Sequence, residues 1–312
     1  MIGASRRGDR IFARAVGAAA AFVFLLITAI TIFLSMKALP SFQEEGLGFF
    51  TERTWFPDAS PPVFGIAALA FGTVVSSAGA LLIALPVAVG SALFVVELAP
   101  KRIGRVIGDL VDLLAAVPSV VYGMWGVLFL VPALIPVQRW ADHQFGFIPI
   151  FHSRTGAYGR SVFAASVVLA IMILPIIASL SREVFLQVPK ANKEAALALG
   201  ATRWEVIRLA VLPYGRGGVI AAAMLGLGRA LGETIAVALV LAASFDVNLH
   251  VFEPGGNSIA ANIATKFGEA GIQGRQALIA SGLVLFVITF AVNIGARTVV
   301  YRSGLVGAKG RR

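Results

Sequence analysis

Cysteine is absent from the 312 residues, which excludes disulfides on an outer face and thiolate metal sites and leaves the redox compartment open. Charge is scarce too. Only 13% of the residues are Asp, Glu, Lys or Arg, against roughly 25% in soluble domains, while 58% are hydrophobic. The three histidines, His143, His152 and His250, stand on connections without metal-ligand spacing, so solvated or satisfied imidazoles are expected rather than a metal site. The phosphate-cradling pattern G-x-x-x-x-G-K-[S/T] is also missing, so the chain is not itself an ATPase. No catalytic residue and no cofactor is called for.

What the chain has is long charge-free runs. A helix needs about 20 apolar residues to cross the hydrocarbon core. There are 22 uncharged residues between Arg14 and Lys37, 38 between Asp58 and Glu97, and 26 between Asp112 and Arg139. Two more runs of 21 lie between Arg160 and Arg182 and between Arg275 and Arg297. A sixth, from Gly217 to Phe245, is interrupted only by Arg229 and Glu233. The pattern predicts an all-α, polytopic membrane protein with six transmembrane helices. The first run exceeds the 7 to 15 apolar residues of a signal peptide and reads as an uncleaved anchor.

The net charge of +10 raises nucleic acid as a partner, but the basic residues sit mostly on alternate connections, as membrane orientation requires. With the N-terminus inside, 18 Lys and Arg fall on the inner side and 7 on the outer, and Arg229 lies within the membrane. A multi-pass inner-membrane protein in contact with lipid, with both termini cytoplasmic and no nucleic acid bound, is the resulting expectation.

No separate soluble domain is visible, so residues 1–312 are read as one membrane domain. Ala38 to Pro62, with Pro40, Pro57, Pro61 and Pro62, reads as an irregular outer loop. The second run is longer than one crossing, and tilt, an interfacial portion or a bend at Pro86 must absorb the excess. Asp109 and Asp112 fall near the inner interface and are not assigned to transport. In Asn257 to Ala270, the spacing of Ile259, Ile263 and Phe267 predicts a helix lying on the outer surface, packed on the bundle or serving as a gate or docking shelf.

The inner connection 182–216 is punctuated as two short helices. Pro189 suits the start of the first, and Gly200 supplies a left-handed residue to end it. Thr202 and Glu205 form a capping box that opens the second. The first helix carries Ala195, Ala196, Leu197, Ala198 and Leu199 where a loop ought to be polar. Small apolar side chains suit insertion into another protein's groove; folding back on the chain's own bundle is the alternative.

The run EAALALG from Glu194 to Gly200, followed by Leu212 and Pro213, resembles the EAA loop of the binding-protein-dependent ABC importer permeases. GRALGETIAV from Gly228 to Val237 and PSVVYG from Pro118 to Gly123 are similar to the fifth-span and third-span signatures of the phosphate-importer permeases, and the form of the first is closest to their PstC-type branch. The resemblance implies the type I ABC importer permease fold. It implies a coupling helix, with Glu194, Ala195, Ala196 and Gly200, seated in a cleft of a partner ATPase. It also implies a second permease of the PstA type, an ATPase dimer of the PstB type and an extracytoplasmic phosphate-binding protein of the PstS type. Another oxyanion importer, or an ion-coupled secondary transporter using Arg229 and Glu233 as a proton relay, is the competing function.

Gly226, Gly228 and Gly232 are spaced G-x-G-x-x-x-G with no preceding strand, which is not a dinucleotide fingerprint. Gly228 and Gly232 instead suit close helix packing in lipid. Arg229 and Glu233 fall two residues either side of the centre of Gly217–Phe245. An ionised group at that depth costs about 3 kcal/mol or more and is retained where a partner, cavity or substrate compensates it. On one continuous helix the two form an i to i+4 ion pair; alternatively both line the substrate path or its gate, with Arg229 offering a guanidinium fork to phosphate oxygens.

Overall fold

Every fourth residue along the second apolar run is small: Ala68, Gly72, Ser76, Ala80, Ala84, Ala88 and Ala92 are all buried. Residues four apart share a helix face, and small side chains let two backbones approach closely in lipid. That stripe belongs to a helix that packs chiefly along the fourth span, Val162–Leu186. At Gly79 a Cβ would lie 2.6 Å from Ser166 Oγ, so the contact is close enough to need glycine.

The computed structural model describes residues 5–302; Lys309, Arg311 and Arg312, counted above on the inner side, lie outside the described residues. In chain order the helices are α1 (Ser5–Glu45), α2 (Gly48–Thr51), α3 (Ala67–Leu93), α4 (Lys101–Ala115), α5 (Ser119–Trp125), α6 (Val131–Phe145) and α7 (Val162–Leu186). They continue as α8 (Lys190–Ala198), α9 (Arg203–Val206), α10 (Leu212–Leu231), α11 (Ile235–Val240), α12 (Ile259–Lys266) and α13 (Ile272–Arg302). A two-stranded hairpin pairs Trp55 with Phe64 and Phe56 with Val63.

Six helices among the described residues are long and apolar enough to cross a membrane. The fourth is the axis: 67% of its most apolar stretch is buried, against 0% for the first. α3 and α10 pack on it, and α13 packs on α1. Wide π-helical turns at Phe94–Leu98, Gly126–Leu130 and Ile207–Val211 join α3 to its end, α5 to α6 and α9 to α10. The second span stays helical through Pro86 and ends in the first of these turns.

Two expectations change. α1 continues through Pro40 to Glu45, so the loop read from Ala38 begins later and contains α2 and the hairpin. Pro40 has no N–H to give the carbonyl four residues earlier, so the helix continues past it with one bond fewer. The fifth span is Arg203–Leu231 rather than Gly217–Phe245. Hydropathy counts the apolar residues after Gly232 as a continuation, but the chain stops being helical at Gly232–Thr234 and restarts as α11. At its other end the π turn precedes Pro213 and carries the helix through it, since the wide turn absorbs the missing N–H.

The 257–270 segment takes the packed alternative at its start, while residues 264–269 stay exposed. Ile259, Ala260, Ala261 and Asn262 are buried, and the Ile259 N–H donates to Thr73 Oγ1 on α3 at 3.0 Å. Ser258 caps α12 by accepting from Ala261 N at 3.1 Å. A Cβ at Gly72 would lie 1.9 Å from the Asn257 carbonyl oxygen, so the segment packs directly on the small stripe.

Candidate functional site: a broken fifth span and an exposed loop helix

Two regions gather the residues singled out by the sequence. In the first, α10 ends at Leu231, with Gly232 as its cap. Arg229 sits half-buried in the last turn. Among the described residues no protein group makes a hydrogen bond or ion pair to its guanidinium. Glu233, 8% exposed, turns instead to the start of α11 and accepts from Ala236 N at 3.3 Å. The i to i+4 ion pair is therefore not formed, because the helix stops between the two residues.

The PSVVYG and GRALGET runs meet here. A Cβ at Gly123 would lie 2.8 Å from Ala236 Cα, so this glycine sets how near α5 comes to α11. Tyr122, beside it, donates its hydroxyl to the Leu114 carbonyl at 3.0 Å and lies within electrostatic reach of Arg229. At the far end of α11, Arg160 donates to the carbonyls of Leu239 at 2.9 Å and Leu241 at 2.6 Å through Nη2, and to Val240 at 3.4 Å through Nε. A cation placed there satisfies carbonyls that a short helix leaves open. Sequence reasoning counted Arg160 only as an outer charge; nothing near it in the chain signals the cap.

Gly228 and Gly232 do not pack helices within this chain. A Cβ at Gly228 meets nothing within 4 Å, and Gly232 terminates α10. Close packing falls to others on the same helix: a Cβ would lie 2.7 Å from Phe185 at Gly215, 2.3 Å from Val184 at Gly218 and 2.8 Å from Ile177 at Gly226.

The second region is the 182–216 loop. Gly200 has φ +83°, and its N–H donates to Leu197 O at 2.9 Å while Ala201 N donates to Ala196 O at 3.1 Å. This is the paired closure of a Schellman end. The Thr202–Glu205 capping box is formed in both directions. No residue of α8 is buried; Leu197 and Leu199 stand exposed, so α8 does not fold into the chain's own bundle. Between α8 and the following helix lies a cleft of about 770 Å³ lined by Ala195, Ala196, Gly200, Leu209 and Pro213 among others. Glu194 is exposed on α8.

At the opposite end, His152 Nδ1 lies 3.2 Å from Asp142 Oδ1, and His250 Nδ1 lies 2.6 Å from the Pro149 carbonyl. Buried Glu253 accepts from the N–H groups of Arg154 at 2.5 Å and Thr155 at 3.2 Å and from the Asn248 amide. Burial alone pushes its carboxyl up, but these hydrogen bonds prevail and hold it below the usual carboxylate range. Among the described residues no three His, Asp or Glu are grouped to hold a metal ion.

Residues 84–302 match the family of binding-protein-dependent transport system inner membrane components. The chain is 45% identical over 301 residues to the phosphate transport system permease protein PstC 2 of Mycobacterium tuberculosis, covering 95% of this chain and 92% of that protein. It is 45% identical over 300 residues to PstC of Mycobacterium leprae, covering 95% and 94%. To PstC of Xylella fastidiosa it is 40% identical over 299 residues, covering 95% and 91%. Among solved structures, a chain of a bacterial ABC transporter involved in the import of the acidic polysaccharide alginate aligns with TM-score 0.52 and 17% identity, over 95% of this chain and 96% of that one. At that identity the likeness speaks for the fold, which is that of a type I ABC importer permease.

Proposed function

The chain belongs to the family of binding-protein-dependent transport system inner membrane components, and we propose that it is the PstC-type permease of an ATP-driven inorganic phosphate importer. It is a multi-pass inner-membrane transport subunit and not an enzyme, and a permease of this family works with an ATPase and a substrate-binding protein. The finer partners are a PstA-type companion permease, a PstB-type ATPase dimer and a PstS-type phosphate-binding protein. The whole chain acts as one membrane domain, with both termini cytoplasmic and loop 182–216 as its coupling element.

The observation that carries the reading is a half-buried arginine with no hydrogen-bond or ion-pair partner for its guanidinium among the described residues, at the end of a span that breaks within an otherwise apolar bundle. A cation there is compensated by what passes it, and a fork of N–H donors matches the oxygens of a tetrahedral anion. Arg229 contacts phosphate in passage, and Glu233, fixed to the start of α11, keeps a negative charge nearby so that the anion is released. The exposed Ala- and Leu-rich helix α8 and its cleft suit docking into the ATPase. ATP then biases an equilibrium between two open states by binding one of them better.

The test is uptake of radiolabelled phosphate into proteoliposomes holding the reconstituted complex. ATP-dependent uptake that phosphate, but not sulfate or molybdate, competes away is expected. Sulfate competing equally would make it another oxyanion importer; uptake by this chain alone, driven by a proton gradient, would make it a secondary transporter.

A further inference from the structure

The loop helix α8 touches its own protein sparingly. It packs on α9 and the π turn that follows it, the inner end of the fifth span, and none of its residues is buried. One polar tie leads out. Lys193 Nζ lies 2.5 Å from Glu97 Oε1, and among the described residues no other α8 side chain makes a hydrogen bond or ion pair beyond the 182–216 loop. Neither partner is at the free surface: the Lys193 side chain is 23% exposed and that of Glu97 14%.

Glu97 stands in the π-helical turn Phe94–Leu98 that closes the second span. The turn is held by the wide bond from Ala99 N to Phe94 O at 2.8 Å, and beyond it the chain is extended at Ala99 before α4 begins. A π turn carries one residue more than the helix around it and is frequently found at functional sites. From there the small-residue stripe of α3 runs the length of α7. A displacement of Glu97 therefore reaches the axis of the bundle along a rigid, closely packed element.

We infer that Lys193 and Glu97 form the strut through which movement of the loop helix reaches the second span, with both acting as positioning residues for transport. This rests on α8 being the ATPase-coupling helix. A charge-assisted pair sheltered from water resists separation more than a surface pair does. It holds through small movements of α8 and pulls Glu97 with it, whereas the apolar face of α8 is left free for its partner. The backbone leads from α8 to the fourth span through Val188 and Pro189 and to the fifth through Leu199 to Thr202, so the strut adds a separate route, to the second span.

The experiment compares Lys193→Gln, Glu97→Gln, the neutral double variant and the exchanged pair Lys193→Glu with Glu97→Lys, each in the reconstituted complex. ATPase co-purification, ATP hydrolysis and phosphate uptake are measured on the same preparations. Each single variant should keep the ATPase and its hydrolysis while phosphate carried per ATP falls about ten-fold, the effect of losing a coupling of about 1.4 kcal/mol. The neutral double variant leaves no charge unpaired, so it folds without that penalty; it should stay uncoupled, and the exchanged pair should recover most of the ratio. A neutral double variant with the wild-type ratio, or singles that lose only folded protein and keep the ratio, would overturn the strut. Failure of the wild-type chain to retain an ATPase would overturn the coupling assignment beneath it, a result visible before any variant is made.

Discussion

Gly200→Ala isolates the backbone of the loop helix from everything else. The residue has φ +83°, and a Cβ there meets nothing within 4 Å, so no collision complicates the substitution. An L side chain in that conformation costs about 1–2 kcal/mol. The end can escape the cost by unwinding, but it then gives up the bonds from Gly200 N to Leu197 O and from Ala201 N to Ala196 O, each worth about 1 kcal/mol net. Either way the closed end loses about 1–2 kcal/mol, a factor of roughly 5–30 in its population. Gly200→Asn, which tolerates the left-handed region, should cost less, and Gly200→Val, stiff at χ1, more. The assay is titration of the ATPase onto detergent-solubilised permease, with affinities expected in the order Gly, Asn, Ala, Val. Gly90→Ala is the control: it also meets nothing within 4 Å but lies inside α3, where alanine favours the helix by about 1 kcal/mol. Affinities that follow side-chain volume, or that do not change at all, would refute the argument that left-handed closure presents this helix.

Arg229→Gln should abolish phosphate uptake while span insertion and ATPase association persist, and Glu233→Gln should slow release; a double variant transporting normally would remove both from the path. Arg160→Gln takes donors from three carbonyls at the end of α11 and should cost about 2 kcal/mol, read as a lowered thermal midpoint with reduced uptake. In the α4–α7 contact, Asp112 is held below the usual carboxylate range by a hydrogen bond from Ser179, against the opposing effect of desolvation, with Arg182 helping. Its folded value is the depressed one, so the stability it contributes is present above the ordinary carboxylate range and is lost as pH falls through the folded value. Asp112→Asn should flatten the acid limb of thermal midpoint against pH; an unchanged acid limb would assign that limb to other groups.

The spans were legible because lipid imposes one rule, a long apolar run, and five of six segments obey it without interruption. The fifth was misplaced because Gly232, Glu233 and Thr234 break a helix through cap chemistry, and a count of apolar residues has no weight for where an N–H finds its acceptor. The loop helices were legible for the opposite reason. Pro189, Gly200, Thr202 and Glu205 act within four residues of themselves, so their roles are written locally. Arg160 over the end of α11, Thr73 under Ile259 and Lys193 against Glu97 join positions 79 to 186 residues apart, and no spacing rule reaches so far. Glycine contacts fall between the two: the composition of α10 announced close packing, but only its neighbours decide that Gly215, Gly218 and Gly226 take it.

Arg160 and Asp58 also bear on the order in which the chain is made. Asp58 accepts from Gly271 N and Gly274 N at 3.0 Å each, steadying the start of α13, and Arg160 accommodates the carbonyls of residues 239–241. In each case the charged partner is synthesised long before the segment it serves. Backbone groups near lipid need an internal partner at once. A nascent chain whose second half arrives at side chains already made can satisfy those groups as soon as it reaches them, and a ribosome stalled before residue 235 leaves the guanidinium of Arg160 without the three carbonyls it caps.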